Sequence, residues 1–103
     1  MVQLQHETVR IPNEVAPAIL ADCYWDPART KHPLVIFCHG YKGFKDWGAW
    51  DLAMQTLAKA GFAAVKFNFS LNGTSLDQPT EFVDLDAFGR NTYTQEQRDL
   101  ARV

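Results

Sequence analysis

Cysteine is scarce in this sequence, and its two positions exclude a disulfide-rich fold. Cys23 and Cys38 lie far apart and form no CxxC pair, so no disulfide framework holds the fold together. We expect both thiols to be reduced and buried. The three histidines are scattered, without an HxxxH spacing or a Cys/His cluster. The sequence therefore predicts no metal site and no cofactor.

An excess of charge of one sign is also missing. Lysine and arginine number 10 and aspartate and glutamate 12, which gives a net charge of -2. Without a basic block or stripe, we expect no nucleic-acid partner and no anionic membrane partner. No apolar run approaches the roughly 20 residues that a membrane span needs. Residues 1–14 contain no basic and apolar leader of the secretory kind, so we expect a cytoplasmic protein.

The chain of 103 residues is long enough for one small domain, and its beginning predicts an antiparallel hairpin. Apolar and polar residues nearly alternate over residues 2–11, which is typical of a strand with one buried face. A second run with strand character covers residues 15–25. The Pro-Asn-Glu turn at residues 12–14 joins the two runs.

A βαβ unit is predicted next. The apolar run LVIFC opens a strand over about residues 34–39, and its continuous apolar character is typical of a strand buried on both faces of a sheet. After a loop, Asp46 is the expected N-cap of a helix over about residues 47–60, which Gly61 ends. Another apolar strand covers about residues 62–69. This order predicts parallel strands with a right-handed crossover.

The last third of the chain has a loop followed by a helix. Residues 70–91 are rich in turn-forming residues and predict a loop. Thr94 and Gln97 have the spacing of a capping box and predict the start of a helix over about residues 95–103. Because the sequence stops on this unfinished amphipathic helix, we expect it to be a piece of a longer protein.

The glycine-containing segment HGYKGFKDWG at residues 39–48 invites three interpretations. Its glycines have the wrong spacing for a P-loop or a dinucleotide loop, and Lys42 and Lys45 are expected to be solvated loop charges. His39 has no nucleophile or carboxylate nearby in the sequence, which favours a structural histidine over a catalytic base. The third interpretation is a loop whose backbone amides stabilise an oxyanion at the carboxyl end of a strand.

The segments PLVIFCHGYKGFKDW and LAKAGFAAVKFNFSLNGTS resemble the N-terminal part of α/β-hydrolases. The closest resemblance is to the dienelactone-hydrolase-like and prolyl-oligopeptidase-like serine hydrolases. In that family an apolar third strand ends in His-Gly, and a helix, a fourth strand and a turn like residues 68–75 follow. The final QEQRDLARV resembles the helix before the nucleophile strand. Over about residues 34–103 the resemblance implies an α/β-hydrolase fold, with residues 1–103 forming a single incomplete domain.

The resemblance also implies roles for the residues of the loop. Tyr41 supplies its backbone N–H to the oxyanion hole, and Gly40 permits the turn. His39 is then a structural histidine that braces the loop, and it is not the triad base. Lys42 and Gly43 border the substrate crevice.

The nucleophile of that family is missing from the sequence. The family motif is G-x-S-x-G, whereas residues 73–77 read GTSLD, lack the last glycine and follow the wrong strand. Ser70 has no nucleophile elbow either. Since the triad runs in the order Ser, Asp or Glu, His, its members are expected beyond Val103. None of the remaining candidate carboxylates is expected to be the triad acid: Asp84, Asp86 and Asp99.

The resemblance implies the N-terminal fragment of a serine hydrolase that acts on carboxylic esters or small peptides, and we expect this chain alone to be inactive. An alternative is a non-catalytic hydrolase-fold module for binding or interaction. A flavodoxin-like nucleotide binder fits the βαβ pattern but lacks a phosphate loop. Because the fifth strand of the family is absent, we expect the apolar strand Leu34–Cys38 to form an edge through which the isolated chain self-associates.

Overall fold

A four-stranded sheet organises the chain in the computed structural model, which describes residues 3–13 and 16–103. The strands and helices follow in this order: β1 Gln5–Ile11, β2 Ile19–Trp25, β3 Leu34–Cys38, α1 Trp50–Lys59, β4 Ala63–Phe67, α2 Leu85–Arg90 and α3 Tyr93–Arg102. None of the helices in the described part of the chain is both long enough and apolar enough to cross a membrane.

The strands lie side by side in the order β1-β2-β4-β3. β1 and β2 form an antiparallel hairpin in which Gln5 pairs with Trp25 and Ile11 with Ile19. β4 is antiparallel to β2 and parallel to β3. The predicted α/β fold, with a hairpin followed by a parallel pair, is therefore confirmed. The predicted strand starts at residues 2 and 15 lie outside the described residues.

The core lies on both faces of the sheet because successive side chains of a strand point to opposite sides. On one face, β4 contributes Val65 and Phe67 to a cluster that also contains Ile19 of β2. On the other face, Ala64 of β4 packs with Met54 of α1. The central strand β4 is thus buried from both sides, as its apolar sequence requires.

β3 is an edge strand of the described sheet, as predicted, but the prediction that it is buried on both faces is wrong. Its only hydrogen-bonded neighbour among the described strands is β4. Its three central residues are half-buried and both ends are exposed, with Leu34 62% exposed. The apolar run correctly indicated a strand, but it could not show how far the rest of the chain covers its two faces. Cys38 at its end is also exposed, whereas Cys23 is half-buried.

α1 begins at Trp50, and the prediction of Asp46 as its N-cap is wrong. The N-cap position is Ala49, and within the described residues no side chain caps this helix. Gly48 adopts a positive φ of 61° just before it, which interrupts the helical path. The stop at Gly61 is confirmed: it has a φ of 106°, and the Phe62 amide donates to the carbonyl of Leu57, as in a Schellman motif.

The segment over residues 70–91 is not loop throughout, because it contains the short helix α2. The Asp84 carboxylate caps this helix by accepting a hydrogen bond from the Ala87 amide at 3.0 Å. The next helix, α3, begins at Tyr93, so the predicted capping box at Thr94 and Gln97 is two residues too late. Its N-cap is Thr92, whose hydroxyl accepts a hydrogen bond from the Gln95 amide at 3.1 Å.

Candidate functional site

A cavity of about 440 Å³ lies at the carboxyl ends of the parallel strands β3 and β4. Open α/β sheets bind their ligands in such crevices. The cavity brings together the loop after β3, the turn after β4 and the start of α3. Its lining consists of His39, Gly40, Tyr41, Lys42, Asn72, Phe88, Asn91, Thr92, Tyr93 and Glu96.

The loop after β3 makes its tight turn between Gly40 and Gly43. The Gly43 amide donates a hydrogen bond to the Gly40 carbonyl at 2.9 Å, and Lys42 between them adopts a left-handed φ of 59°. A Cβ on Gly43 would lie 2.8 Å from the Gly40 oxygen, whereas a Cβ on Gly40 would meet no atom within 4 Å in the described residues. The position that requires a glycine for close approach is therefore Gly43.

Tyr41 lies at the mouth of the cavity and is 83% exposed. Its amide forms no hydrogen bond with any of the residues that the structure describes, so this N–H is available to a ligand. Its ring packs against Phe88, with 5.4 Å between the ring centroids. The Lys42 ammonium lies 5.8 Å from the centre of the same ring, within the range of a cation–π contact.

Both ring nitrogens of His39 have hydrogen-bond partners. Nε2 accepts a hydrogen bond from the Phe69 amide at 3.1 Å, so Nε2 carries no proton. Nδ1 must then hold the proton and donate it to the Gly40 carbonyl at 2.9 Å. Burial lowers the pKa of His39, although the Gly40 carbonyl and the Glu96 carboxylate oppose this shift. His39 is thus a neutral histidine that joins the loop after β3 to the chain after β4.

The turn after β4 holds the same loop from the other side. The Asn68 side-chain oxygen accepts a hydrogen bond from the Lys45 amide at 2.7 Å. The Asn72 side-chain oxygen accepts hydrogen bonds from the amide and the hydroxyl of Thr74 at 3.0 and 2.7 Å, and its amide group reaches the Gly43 carbonyl at 3.4 Å. The side chains of Asn68 and Asn72 therefore hold the backbone of the turn and of the loop after β3 in place.

Ser70 and Asp99 form a buried pair, and neither side chain hydrogen bonds to a histidine in the described residues. Asp99 is 0% exposed and accepts hydrogen bonds from the amide and the hydroxyl of Ser70 at 2.7 and 3.0 Å. It also accepts hydrogen bonds from the side chains of Gln95 and Asn13. The two Ser70 donors tie α3 to the end of β4 and the Asn13 donor ties it to the chain after β1, whereas Gln95 lies in α3 itself. The partners of Asp99 are those of a structural carboxylate.

Ser75, Asp84 and Asp86 serve local structure. The Ser75 hydroxyl accepts a hydrogen bond from the Gln78 amide within a turn. Asp84 caps α2, and Asp86 forms an exposed ion pair with Arg90 at 3.0 Å. None of the three lines the cavity described above.

Lys45 is buried, so the expectation that it is a solvated loop charge is wrong. Its ammonium contacts Asp22 and Asp46, and Lys66 contacts the same two carboxylates. Sequence reasoning missed this group because Asp22 and Lys66 become neighbours only through the pairing of β2 with β4. The one available signal was Lys66 itself, a lysine inside an otherwise apolar strand.

Comparison with known proteins yields a fold likeness. No protein-family model matches the chain, and no curated protein matches it. The chain is similar to a solved structure. This is the hypothetical protein PA2218 from Pseudomonas aeruginosa, which is 25% identical with a TM-score of 0.53. The match covers 66% of this chain but only 22% of that protein, and the description of that protein states no activity.

Proposed function

We propose that this chain carries the oxyanion loop of a serine hydrolase that acts on carboxylic esters or small peptides. The observation that carries the proposal is that Tyr41 lines a cavity at the carboxyl end of β3 and that its amide is without an acceptor in the described residues. The strand order β1-β2-β4-β3 supports it, since it agrees with the resemblance to α/β-hydrolases over the first four strands.

In the proposed reaction, a serine hydroxyl attacks the acyl carbonyl carbon, and a histidine takes the serine proton. The carbonyl oxygen gains negative charge, and the Tyr41 N–H donates a hydrogen bond to it. One such donor is worth roughly 2.7–4 kcal/mol of transition-state stabilisation. The rings of Tyr41 and Phe88 offer an apolar wall for the acyl group.

The proposal places the serine and its partners in parts of the protein that these 103 residues do not contain, because G-x-S-x-G is absent from them. His39 does not serve as the base, since Nε2 accepts the Phe69 amide and Nδ1 binds the Gly40 carbonyl. This chain alone is therefore inactive in the proposal.

Labelling of the full-length protein with a fluorophosphonate probe tests the proposal. We expect covalent labelling of a single serine and hydrolysis of a short p-nitrophenyl ester. Tyr41→Pro removes the N–H and should lower kcat about 10²–10³-fold. Tyr41→Phe keeps the amide and is the matched control. A folded full-length protein that takes up no label would contradict the hydrolase and favour a binding module that uses the same cavity.

A further inference from the structure

Four charged side chains form a closed ring beneath the loop after β3. Lys45 Nζ lies 2.7 Å from Asp22 Oδ2 and 2.8 Å from Asp46 Oδ2. Lys66 Nζ lies 2.7 Å from Asp46 Oδ1 and 3.2 Å from Asp22 Oδ2. Each ammonium therefore touches both carboxylates, and the ring contains two positive and two negative charges.

Three of the four side chains are buried, and the Asp46 side chain is 29% exposed, which makes the ring costly to form. Lys66 is 1% exposed, and Lys45 and Asp22 are each 4% exposed. Burial would raise the pKa of Asp22, but the hydrogen bonds from Lys45 and Thr8 and the charges of Lys45 and Lys66 together outweigh burial and lower it, so this carboxylate stays ionised. Buried ion pairs commonly add little stability compared with apolar residues of the same volume. Stability alone is therefore a weak explanation for this ring.

The arrangement of the ring points to an anchoring role. Lys45 and Asp46 belong to the loop, whereas Asp22 and Lys66 belong to the adjacent strands β2 and β4 and are directly paired in the sheet. Two separate ionic contacts thus join the loop to the sheet, Lys45 to Asp22 and Asp46 to Lys66. The main chain is held at the same place, because the Lys45 amide donates to Asn68.

The loop is consequently held at both ends, with the Tyr41 amide between them. At the first end, His39 accepts the Phe69 amide. At the second end lies the charged ring. Loss of the charged ring would weaken the hold on the segment between the two glycines, and an amide contributes to transition-state binding only when its direction is preorganised.

We infer that the ring of Asp22, Lys45, Asp46 and Lys66 positions the Tyr41 amide toward the cavity. The four residues are positioning residues that act through the loop and do not touch the substrate. This inference rests on the proposed function for its catalytic meaning. The anchoring itself can be measured without any activity.

Hydrogen exchange in the full-length protein is the test, measured on the amides of residues 40–45. Lys45→Met removes the cation but keeps most of the side-chain volume, and Asp46→Asn removes a charge with little change in shape. Both should speed exchange of the Gly43 amide by roughly tenfold or more, because loss of one charged partner leaves the ring with an unbalanced charge and removes one of its contacts to the loop. If Lys45→Met fails to fold, exchange of the loop amides in Asp46→Asn still tests the anchor.

Three control variants separate anchoring from general destabilisation. Lys59→Met makes the same chemical change at an exposed position of α1 and should leave loop exchange unchanged. Ile19→Val weakens the core of the sheet and should speed exchange there without a selective effect on the loop. Lys45→Arg keeps the positive charge and should restore slow exchange at least partly.

The outcomes distinguish the inference from the proposed function. Faster exchange confined to the loop of the ring variants, together with a lower kcat and a nearly unchanged KM for ester hydrolysis, supports both the anchor and the hydrolase. If the ring variants show faster exchange only in the loop, but the folded wild-type protein binds no fluorophosphonate, the anchor is supported and the hydrolase is contradicted. Unchanged loop exchange in both ring variants, or an equal increase throughout the sheet, overturns the anchor whatever the activity.

Discussion

Gly40 and Gly43 belong to the same turn but have opposite steric surroundings. The resemblance implies a turn-permitting role for Gly40, because it places the oxyanion amide immediately after this residue. The structure shows the close backbone approach at Gly43. The distinction could not be predicted from the letters alone, because it depends on where the Gly40 carbonyl points after the chain has turned.

Alanine substitutions at these two glycines should affect stability differently. Gly43→Ala brings a methyl group to 2.8 Å from the Gly40 oxygen and 3.3 Å from the Cβ of His39, and should lower the free energy of unfolding by roughly 1–3 kcal/mol. Gly40→Ala meets open space and should change it by less than about 1 kcal/mol. Urea unfolding of both variants measures the difference, and equal effects would contradict the geometry.

His39 should make the stability of the protein depend on pH, because its pKa differs between the folded and the unfolded state. Burial lowers the pKa of His39 below its ordinary value of 6.5, so the unfolded chain binds more protons in that range. Stability from the neutral ring is therefore complete above pH 6.5 and is lost as pH falls toward the folded-state pKa. One such group gives at most about 1.4 kcal/mol per pH unit.

The measurement for His39 is urea unfolding at pH 7.5 and pH 5 for the wild type and for His39→Gln. The wild type should lose more stability between the two pH values than the variant, which has no titrating ring at this position. His6 and His32 are common to both proteins and cancel in the comparison. A pH dependence that is the same in both proteins would show that the His39 ring is not held neutral.

At the scale of the elements, the helix starts show which local signals were sufficient. The stop of α1 was predicted correctly because a glycine with a positive φ is a local requirement of the chain. The start of α1 was predicted too early, because the Asp46 carboxylate binds Lys45 and Lys66 in preference to the helix amides. A cap is a local preference that a tertiary ion pair can override.

The cap of α3 provides a direct test between two threonines. Thr92 accepts a hydrogen bond from the Gln95 amide, whereas Thr94 lies within the first turn of the helix and is exposed. Thr92→Ala should lower the free energy of unfolding by about 1 kcal/mol. Thr94→Ala should change it by less than about 0.5 kcal/mol. Thermal or urea unfolding measures the difference. A larger loss of stability for Thr94→Ala than for Thr92→Ala would indicate that Thr94 is the N-cap.

At the scale of the whole molecule, β3 is the edge of the described sheet on the side of the cavity. Its five residues include no charged side chain, and charges are the usual means by which edge strands avoid pairing with other molecules. We propose that the isolated 103-residue chain self-associates through this edge.

Sedimentation of the isolated chain tests the association. The wild-type chain should form dimers or larger species, and Leu34→Lys, which places a charge on β3, should shift them toward monomer. Leu52→Lys introduces the same charge on α1 at a leucine of similar exposure, 65% against 62% for Leu34, and should have little effect. A monomeric wild-type chain with a cooperative melting transition would contradict self-association through β3.

The sequence by itself determined the elements whose signals are local: the alternating hairpin strands, the apolar strands β3 and β4, the helix between them and its glycine stop. These follow from side-chain periodicity and from backbone preference, which act over a few residues. Only the tertiary structure decided that β4 lies between β2 and β3, and that Lys45 is buried beside Asp22. Those contacts join residues distant in sequence, and their energy depends on strand register and burial, which no local pattern contains.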